Sequence, residues 1–276
     1  MVAPILFYGA EIWGFCKAEP IERFHLGFLK SILGVKNSTA NCFVYGELGV
    51  MPLHIERKFR IIKFWVRILN SNENSYLYKV YLELLYLEIY SPEKITWVSL
   101  LKDLLFRYGF GYTWMLQRID DPNSFLRSFK ERITDIYKQD WRVSVNDTSS
   151  NRLYKHIKEK FHFEPYLNLI NKSKRMHISK VRLSSHLFLV ERGRWGTKKL
   201  KLEERKCEIC DVLEDEYHCL IECVRFERER RGLLPPTLVN RPNMFEFVKF
   251  FRNKENCSKL GQLCRNILKE YRNQCI

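Results

Sequence analysis

Leu, Ile, Phe and Tyr recur along this chain at intervals of three and four positions, with no sustained alternation. That period predicts α-helix almost throughout. From Pro20 the apolar positions Ile21, Phe24, Phe28, Leu29 and Ile32 share one face, and Gly34 is placed to end the helix. A loop is expected from Asn37 to Gly49. Pro52 then opens a longer helix to about Asn70, and a tyrosine-rich helix follows over 75–90. The pattern continues over 95–108 and 124–137, broken by Gly109, Gly111 and Asp121-Pro122. The polar run 146–151 is the best candidate for a domain boundary. Beyond it the sequence predicts short helices from Arg152, a basic helix from Ser173 to about Glu191, and a terminal helix from Asn256 to Asn273.

The helix after Pro52 divides its surface by charge. At ~100° per residue, Arg57, Arg60, Lys63 and Arg67 fall on one arc, while Ile55, Phe59, Ile61, Ile62, Trp65, Val66 and Leu69 take the other side. Such a helix docks by its apolar face and offers a cationic stripe to phosphates. A basic face that is simply solvated explains the same pattern.

Composition sharpens this picture. The chain has 276 residues, 46% of them hydrophobic, enough for a core in one or two domains. Its net charge of +15 favours polyanionic partners without bearing on the fold. Residues 172–206 hold twelve cations (Lys172, Lys174, Arg175, Lys180, Arg182, Arg192, Arg194, Lys198, Lys199, Lys201, Arg205, Lys206) against Glu191, Glu203 and Glu204, so more than half of the excess lies in one short stretch. Residues 207–223 are opposite in sign, with six acids and no Lys or Arg. The flanks, including Arg225, Arg228, Arg230 and Arg231, are therefore where an anionic backbone is expected to lie.

Nine cysteines show no disulfide-framework spacing. Val2 to Phe15 lacks a basic leader, and Glu11 interrupts its apolar run, so a secretory signal is not expected. No stretch reaches the ~18 apolar residues of a membrane span. The expected setting is reducing, nuclear or cytoplasmic rather than secreted, with no membrane partner.

One motif declares a chemistry: Cys207-x2-Cys210-x7-His218-x4-Cys223. Three thiolates and a neutral imidazole suit one tetrahedral Zn²⁺, and a full set of four protein ligands reads as structural rather than catalytic. Cys219 is the rival ligand, but its neighbour His218 fits the spacing better, so Cys219 is expected in the local core. Glu214-Asp215-Glu216 either fixes the imidazole from behind or supplies acids to the N-terminus of the helix carrying His218 and Cys223. The fold class that results is mainly α. A helical bundle-like domain (1–145) precedes a basic helical segment (146–204), a small zinc-nucleated module (205–232) and C-terminal helices (233–276).

Read in order, Arg182-x-Ser184-Ser185-His186, Glu191-Arg192-Gly193-Arg194, Arg205-x-Cys207, the acid cluster and His218-x4-Cys223 resemble the C-terminal end of non-LTR (LINE-type) retrotransposon reverse transcriptases. Near the start, Pro4-Ile5-Leu6-Phe7-Tyr8-Gly9-Ala10-Glu11-Ile12-Trp13-Gly14 and Tyr45-Gly46-Glu47-Leu48-Gly49-x-x-Pro52-Leu53 are similar to the stretch just after the palm of those polymerases. The resemblance implies a helical thumb and connector followed by a zinc knuckle, holding template RNA and target DNA. It implies the ligands Cys207, Cys210, His218 and Cys223, and nucleic-acid contacts at Arg182, His186, Arg192 and Arg194.

A polymerase needs paired aspartates holding two Mg²⁺ ions. The adjacent pair Asp120-Asp121 runs into Pro122 and reads as a turn and helix start. No Ser/His/Asp order or Gly-rich phosphate loop is apparent. The expectation is a non-enzymatic fragment, truncated copy or remnant that binds RNA, single-stranded DNA or target DNA, takes no small-molecule substrate and can assemble with an upstream polymerase region. Arg57, Arg60, Lys63, Arg67, Arg182, His186, Arg192, Arg194, Arg205, Arg225 and Arg228 are the candidate contacts, and Trp195 is a candidate for base stacking or for the core. The alternative is a protein-interaction remnant with a structural zinc and incidental charge.

Overall fold

A computed structural model describes residues 3–150, 152–195 and 199–275, with the side chains of Ala3, Gln274 and Cys275 outside that description. Asn151 of the expected boundary and Lys198 of the basic stretch lie outside the described residues. The fold is mainly α: among the described residues there are no strands, only the isolated bridges Leu48–Phe163 and Lys206–Leu213. The helices of eight or more residues are α1 (Glu19–Leu33), α2 (Asn41–Leu48), α3 (Leu53–Leu69), α4 (Tyr76–Tyr90), α5 (Trp97–Arg107), α6 (Pro122–Asp147), α7 (Lys172–Arg182), α8 (Met244–Arg252) and α9 (Cys257–Cys275). No described helix is long and apolar enough to cross a membrane.

Several helix limits follow from local chemistry. Gly34 takes φ +66° after α1, which an L side chain rarely adopts. The Ser75 side chain accepts from the Tyr78 amide at α4, and Thr96 and Ser99 form a capping box at α5. The chain divides into two compact units, one built from the residues up to His25 with Met51–Asp140, the other from Leu26–Val50 with Trp141 onward.

In the first unit, α3 supplies Ile61, Ile62, Trp65 and Val66 to a core completed by Val98, Leu101, Leu105, Phe129 and Ile133. The Trp65 indole donates to Tyr81 Oη at 3.0 Å, so that buried N–H is satisfied. Where α3 begins, Glu22 accepts from the amides of Leu53 (3.0 Å) and His54 (2.6 Å) and pairs with Arg57 at 3.2 Å. Burial opposes ionisation of Glu22, but the bond at His54, the Leu53 amide and the Arg57 guanidinium outweigh it and hold the carboxyl below its usual range.

The expected loop over 37–49 is corrected by the second unit, where 41–48 form α2. Phe43 to Leu48 are all buried, so this helix is enclosed on every side and shows no 3.6-residue stripe. Two glycines permit that enclosure. A Cβ on Gly46 would lie 2.6 Å from the Trp141 ring, and one on Gly49, at φ +60°, would lie 2.4 Å from the Phe163 nitrogen. α6 runs ten residues past its expected end at Tyr137, and Trp141 there donates to the Cys42 carbonyl at 2.8 Å. The basic helix also ends early, at Arg182, with Ser184 at φ +50°. α7 packs along α9.

Candidate metal centre and its basic surroundings

The four motif residues converge, with their ligand atoms all within 4.8 Å of one another. Cys207 and Cys210 come from a tight turn. Lys206 bridges Leu213, the Cys207 amide donates to the Val212 carbonyl at 2.8 Å, and the Asp211 amide returns to the Cys207 carbonyl at 2.9 Å. Asp211 sits at φ +53°, a conformation Asp tolerates better than most residues.

His218 and Cys223 come from a single turn of π-helix, His218–Glu222. The Cys223 amide donates to the His218 carbonyl at 2.8 Å, an i→i+5 bond. In an α-helix, residues five apart point about 140° away from each other; the wider turn brings them onto one face. The His-x4-Cys spacing thus required a departure from regular helix. Arg230, donating to the Cys223 carbonyl at 2.6 Å, secures the far side.

The Sγ atoms of Cys207 and Cys210 lie 3.8 and 4.0 Å from that of Cys223, far beyond the ~2.05 Å of a disulfide. Burial, then the neighbouring Cys207 sulfur, push the Cys223 thiol up to about 12, so this cluster is costly to ionise unless a cation compensates. Both His218 ring nitrogens are buried without a hydrogen-bond partner, since the Glu222 carboxylate stands 3.7 Å away, too far to accept. Burial also holds the imidazole below its usual range, in the neutral form that ligates. An unpartnered ring nitrogen beside three clustered thiols is a donor set that could hold one metal ion. Cys219 is fully buried and outside the set.

The acid cluster does not reach the imidazole's far side. Asp215 caps the turn, accepting from the His218 amide at 2.9 Å. Glu214 accepts from the Leu189 amide (2.6 Å) and from Tyr271 of α9 (2.5 Å). Glu216 pairs with His186 at 2.9 Å. These carboxylates tie the metal module to the rest of its unit.

The candidate nucleic-acid contacts separate into three groups. Arg57, Arg182 and His186 are buried rather than presented at the surface. Each is no more than 2% exposed and paired with a carboxylate of its own unit, although Nε and Nη1 of Arg57 and Nδ1 of His186 have no hydrogen-bond partner. Arg57 is held by Glu22, the Lys17 carbonyl and the Trp13 ring. Arg182 reaches Glu47 (2.5 and 3.3 Å) and Glu164 (3.0 Å) over the ring of Tyr166, whose hydroxyl also donates to Glu47 at 2.8 Å. Lys158 closes this buried network on Glu164. A helical wheel places such residues on a polar face, but a second element's carboxylate is invisible to it.

Arg60, Arg194, Arg205 and Arg225 are half-buried and partly engaged. Arg60 pairs with Glu56, Arg194 with Glu191 and Ser149, Arg205 with the carbonyls of Leu200 and Val190, and Arg225 lies 3.8 Å from Glu208. Lys63, Arg67, Arg192 and Arg228 are exposed, as is Trp195, at 64%. Lys63 and Arg67 belong to the first unit; the other three surround the metal module's unit. No protein-family model, curated protein or solved structure matches this chain.

Proposed function

We propose that the chain is a nucleic-acid-binding, zinc-stabilised C-terminal portion of a retrotransposon reverse transcriptase, with no polymerase centre of its own. The observation that carries the reading is the Cys207, Cys210, His218, Cys223 cluster set in the same unit as the densest run of cations. Four-coordinate Zn²⁺ with Zn–S near ~2.3 Å places its sulfurs about 3.8 Å apart, and the observed spacings to Cys223 are 3.8 and 4.0 Å. Three thiolates and one imidazole select zinc over harder cations. The ion would hold together a module whose own core is small; its free energy of binding adds to that of folding. Exposed Arg228 and Trp195, with Arg192 stacked over the Tyr271 ring but open to solvent, would supply phosphate and stacking contacts.

The test is elemental analysis of the purified, reduced chain together with anisotropy titrations of labelled single-stranded RNA and DNA at two salt concentrations. One zinc per chain and binding that falls steeply with salt are expected. Absence of stoichiometric metal overturns the zinc assignment. Absent or salt-insensitive binding favours the protein-interaction alternative. Incubation with primer-template, deoxynucleotides and Mg²⁺ is expected to give no extension.

A further inference from the structure

The C-terminal halves of α7 and α9 and the segment after α1 border a cavity of about 310 Å³. Its charged side chains are all basic: Lys36 from the segment after α1, His177 and Lys180 from α7, Lys269 and Arg272 from α9, with Ser185 and the Glu216-paired His186 completing the polar lining. No Asp or Glu is among its lining residues. Val35, Leu187 and Leu268 give it an apolar floor. The volume is at the lower end of the ~300–1,000 Å³ usual for small-molecule sites. We infer that this cavity is a phosphate site, which on the proposed function takes a backbone or terminal phosphate of a single-stranded nucleic acid.

Three features argue for a bound anion over a chance gathering of surface charge. The cations come from three separate segments, so their convergence is a product of packing. His177 and Lys180 stand three apart on α7, and Lys269 and Arg272 three apart on α9, so each pair faces the same way. They also work against one another. Lys180 is lowered by burial and by Arg272, and His177 by burial and by Lys180, Arg265 and Lys269, against the bond to the Ser173 carbonyl. Lys36 is lowered by burial and by Lys180, against Glu191, which is not among the lining residues. Like charges held this closely are unfavourable unless an anion joins them.

The cavity is also braced. The Lys36 amide donates to Ser185 Oγ and its Nζ to the His186 carbonyl, both at 2.8 Å, which leaves Nζ with further protons to offer. Gly34 lets the segment pass against α7, since a Cβ there would lie 2.2 Å from Met176 Cε. Lys36 borders a second cavity of about 230 Å³ lined by the Glu191–Arg194 pair and the exposed Trp195. A phosphate at Lys36, Lys180 and Arg272 would therefore place a neighbouring base within reach of an aromatic platform.

The experiment compares the full chain with Lys180→Gln/Arg272→Gln and with a control that loses the same two charges from exposed positions elsewhere, Lys79→Gln/Lys94→Gln. Each is titrated with pyrophosphate, with a nucleoside 5′-monophosphate, and with a 5′-phosphorylated single-stranded oligonucleotide; thermal unfolding checks that all three proteins are folded. The cavity variant is expected to bind about 10- to 100-fold more weakly, as for the loss of charge-assisted hydrogen bonds, while the control stays within about threefold. Its salt slope for the oligonucleotide should fall by roughly 0.7 per phosphate contact removed. If only the small phosphates bind, and the variant loses them, the site stands and the nucleic-acid reading falls. If oligonucleotide binding is equal in variant and wild type and pyrophosphate binds neither, the phosphate site is overturned while the nucleic-acid reading survives. Should the double variant unfold, pyrophosphate titrated into the wild type decides. A thermal midpoint raised by pyrophosphate and not by equal ionic strength of chloride supports the site, and an unchanged one refutes it.

Discussion

Replacing Arg182 by Met tests whether this residue is a phosphate contact or a pillar of the fold. The guanidinium makes bonds of 2.5 and 3.3 Å to Glu47 and one of 3.0 Å to Glu164. Burial alone would lower its pKa, yet Glu47 and Glu164 hold it raised instead. Without it, the Glu47 carboxylate, at 0% exposure, keeps the Tyr166 hydroxyl as its hydrogen bond and the more distant charge of Lys158, while Glu164 retains Lys158 and the exposed His162 at 3.8 Å. Breaking one side of such a buried pair costs about 3–5 kcal/mol, a large share of the ~5–15 kcal/mol that stabilises a domain. At a urea slope near ~2 kcal/mol/M the midpoint for the second unit should drop by roughly 2 M. Because the pair is shielded from solvent, added salt should change this loss little. Glu47→Gln combined with Arg182→Met should cost less than the two single changes together, since neither partner then remains as an isolated charge. The measurements are denaturant unfolding followed by Trp141 fluorescence and hydrogen exchange of the α7 amides, with RNA binding recorded where each variant is folded. A midpoint unchanged within ~0.5 kcal/mol, together with RNA binding weakened tenfold or more, would refute the structural assignment.

Other substitutions probe separate parts of the molecule. Gly46→Ala drives a methyl against the Trp141 ring, 2.6 Å away, and should destabilise the second unit by about 1–3 kcal/mol in thermal unfolding, whereas Gly27→Ala, with open space around it, should not. Cys219→Ala should leave metal stoichiometry unchanged, while Cys207→Ala should abolish it and expose residues 205–232 to proteolysis; equal metal loss in both would displace His218 from the ligand set. Glu22 has a folded pKa below its ordinary value of 4.5, so its contribution is complete above about that pH and is lost as pH falls through the lower folded value. Glu22→Gln should remove this part of the acid sensitivity of the first unit, read as a flatter stability profile below pH 4.5, and an unchanged profile would remove the assignment.

By itself, the sequence determined the amphipathic helices and the Cys/His cluster, because both are encoded at short range. Apolar spacing marked α1, α3, α4, α5 and α9 to within a few residues, with Gly34 as the stop of α1. The Cys/His spacing marked four side chains that lie close together, since a tight turn and one widened helical turn are themselves local devices. Tertiary structure decided what periodicity does not carry. α2 is buried on all sides and so has no stripe to read. Arg57, Arg182 and His186 look like solvent-facing polar positions until Glu22, Glu47 and Glu216 arrive from distant segments, when pairing in a dry interior fixes them. Lys36, His177, Lys180, Lys269 and Arg272 share a cavity for the converse reason. Helix packing gathers charges of one sign that the linear order keeps far apart.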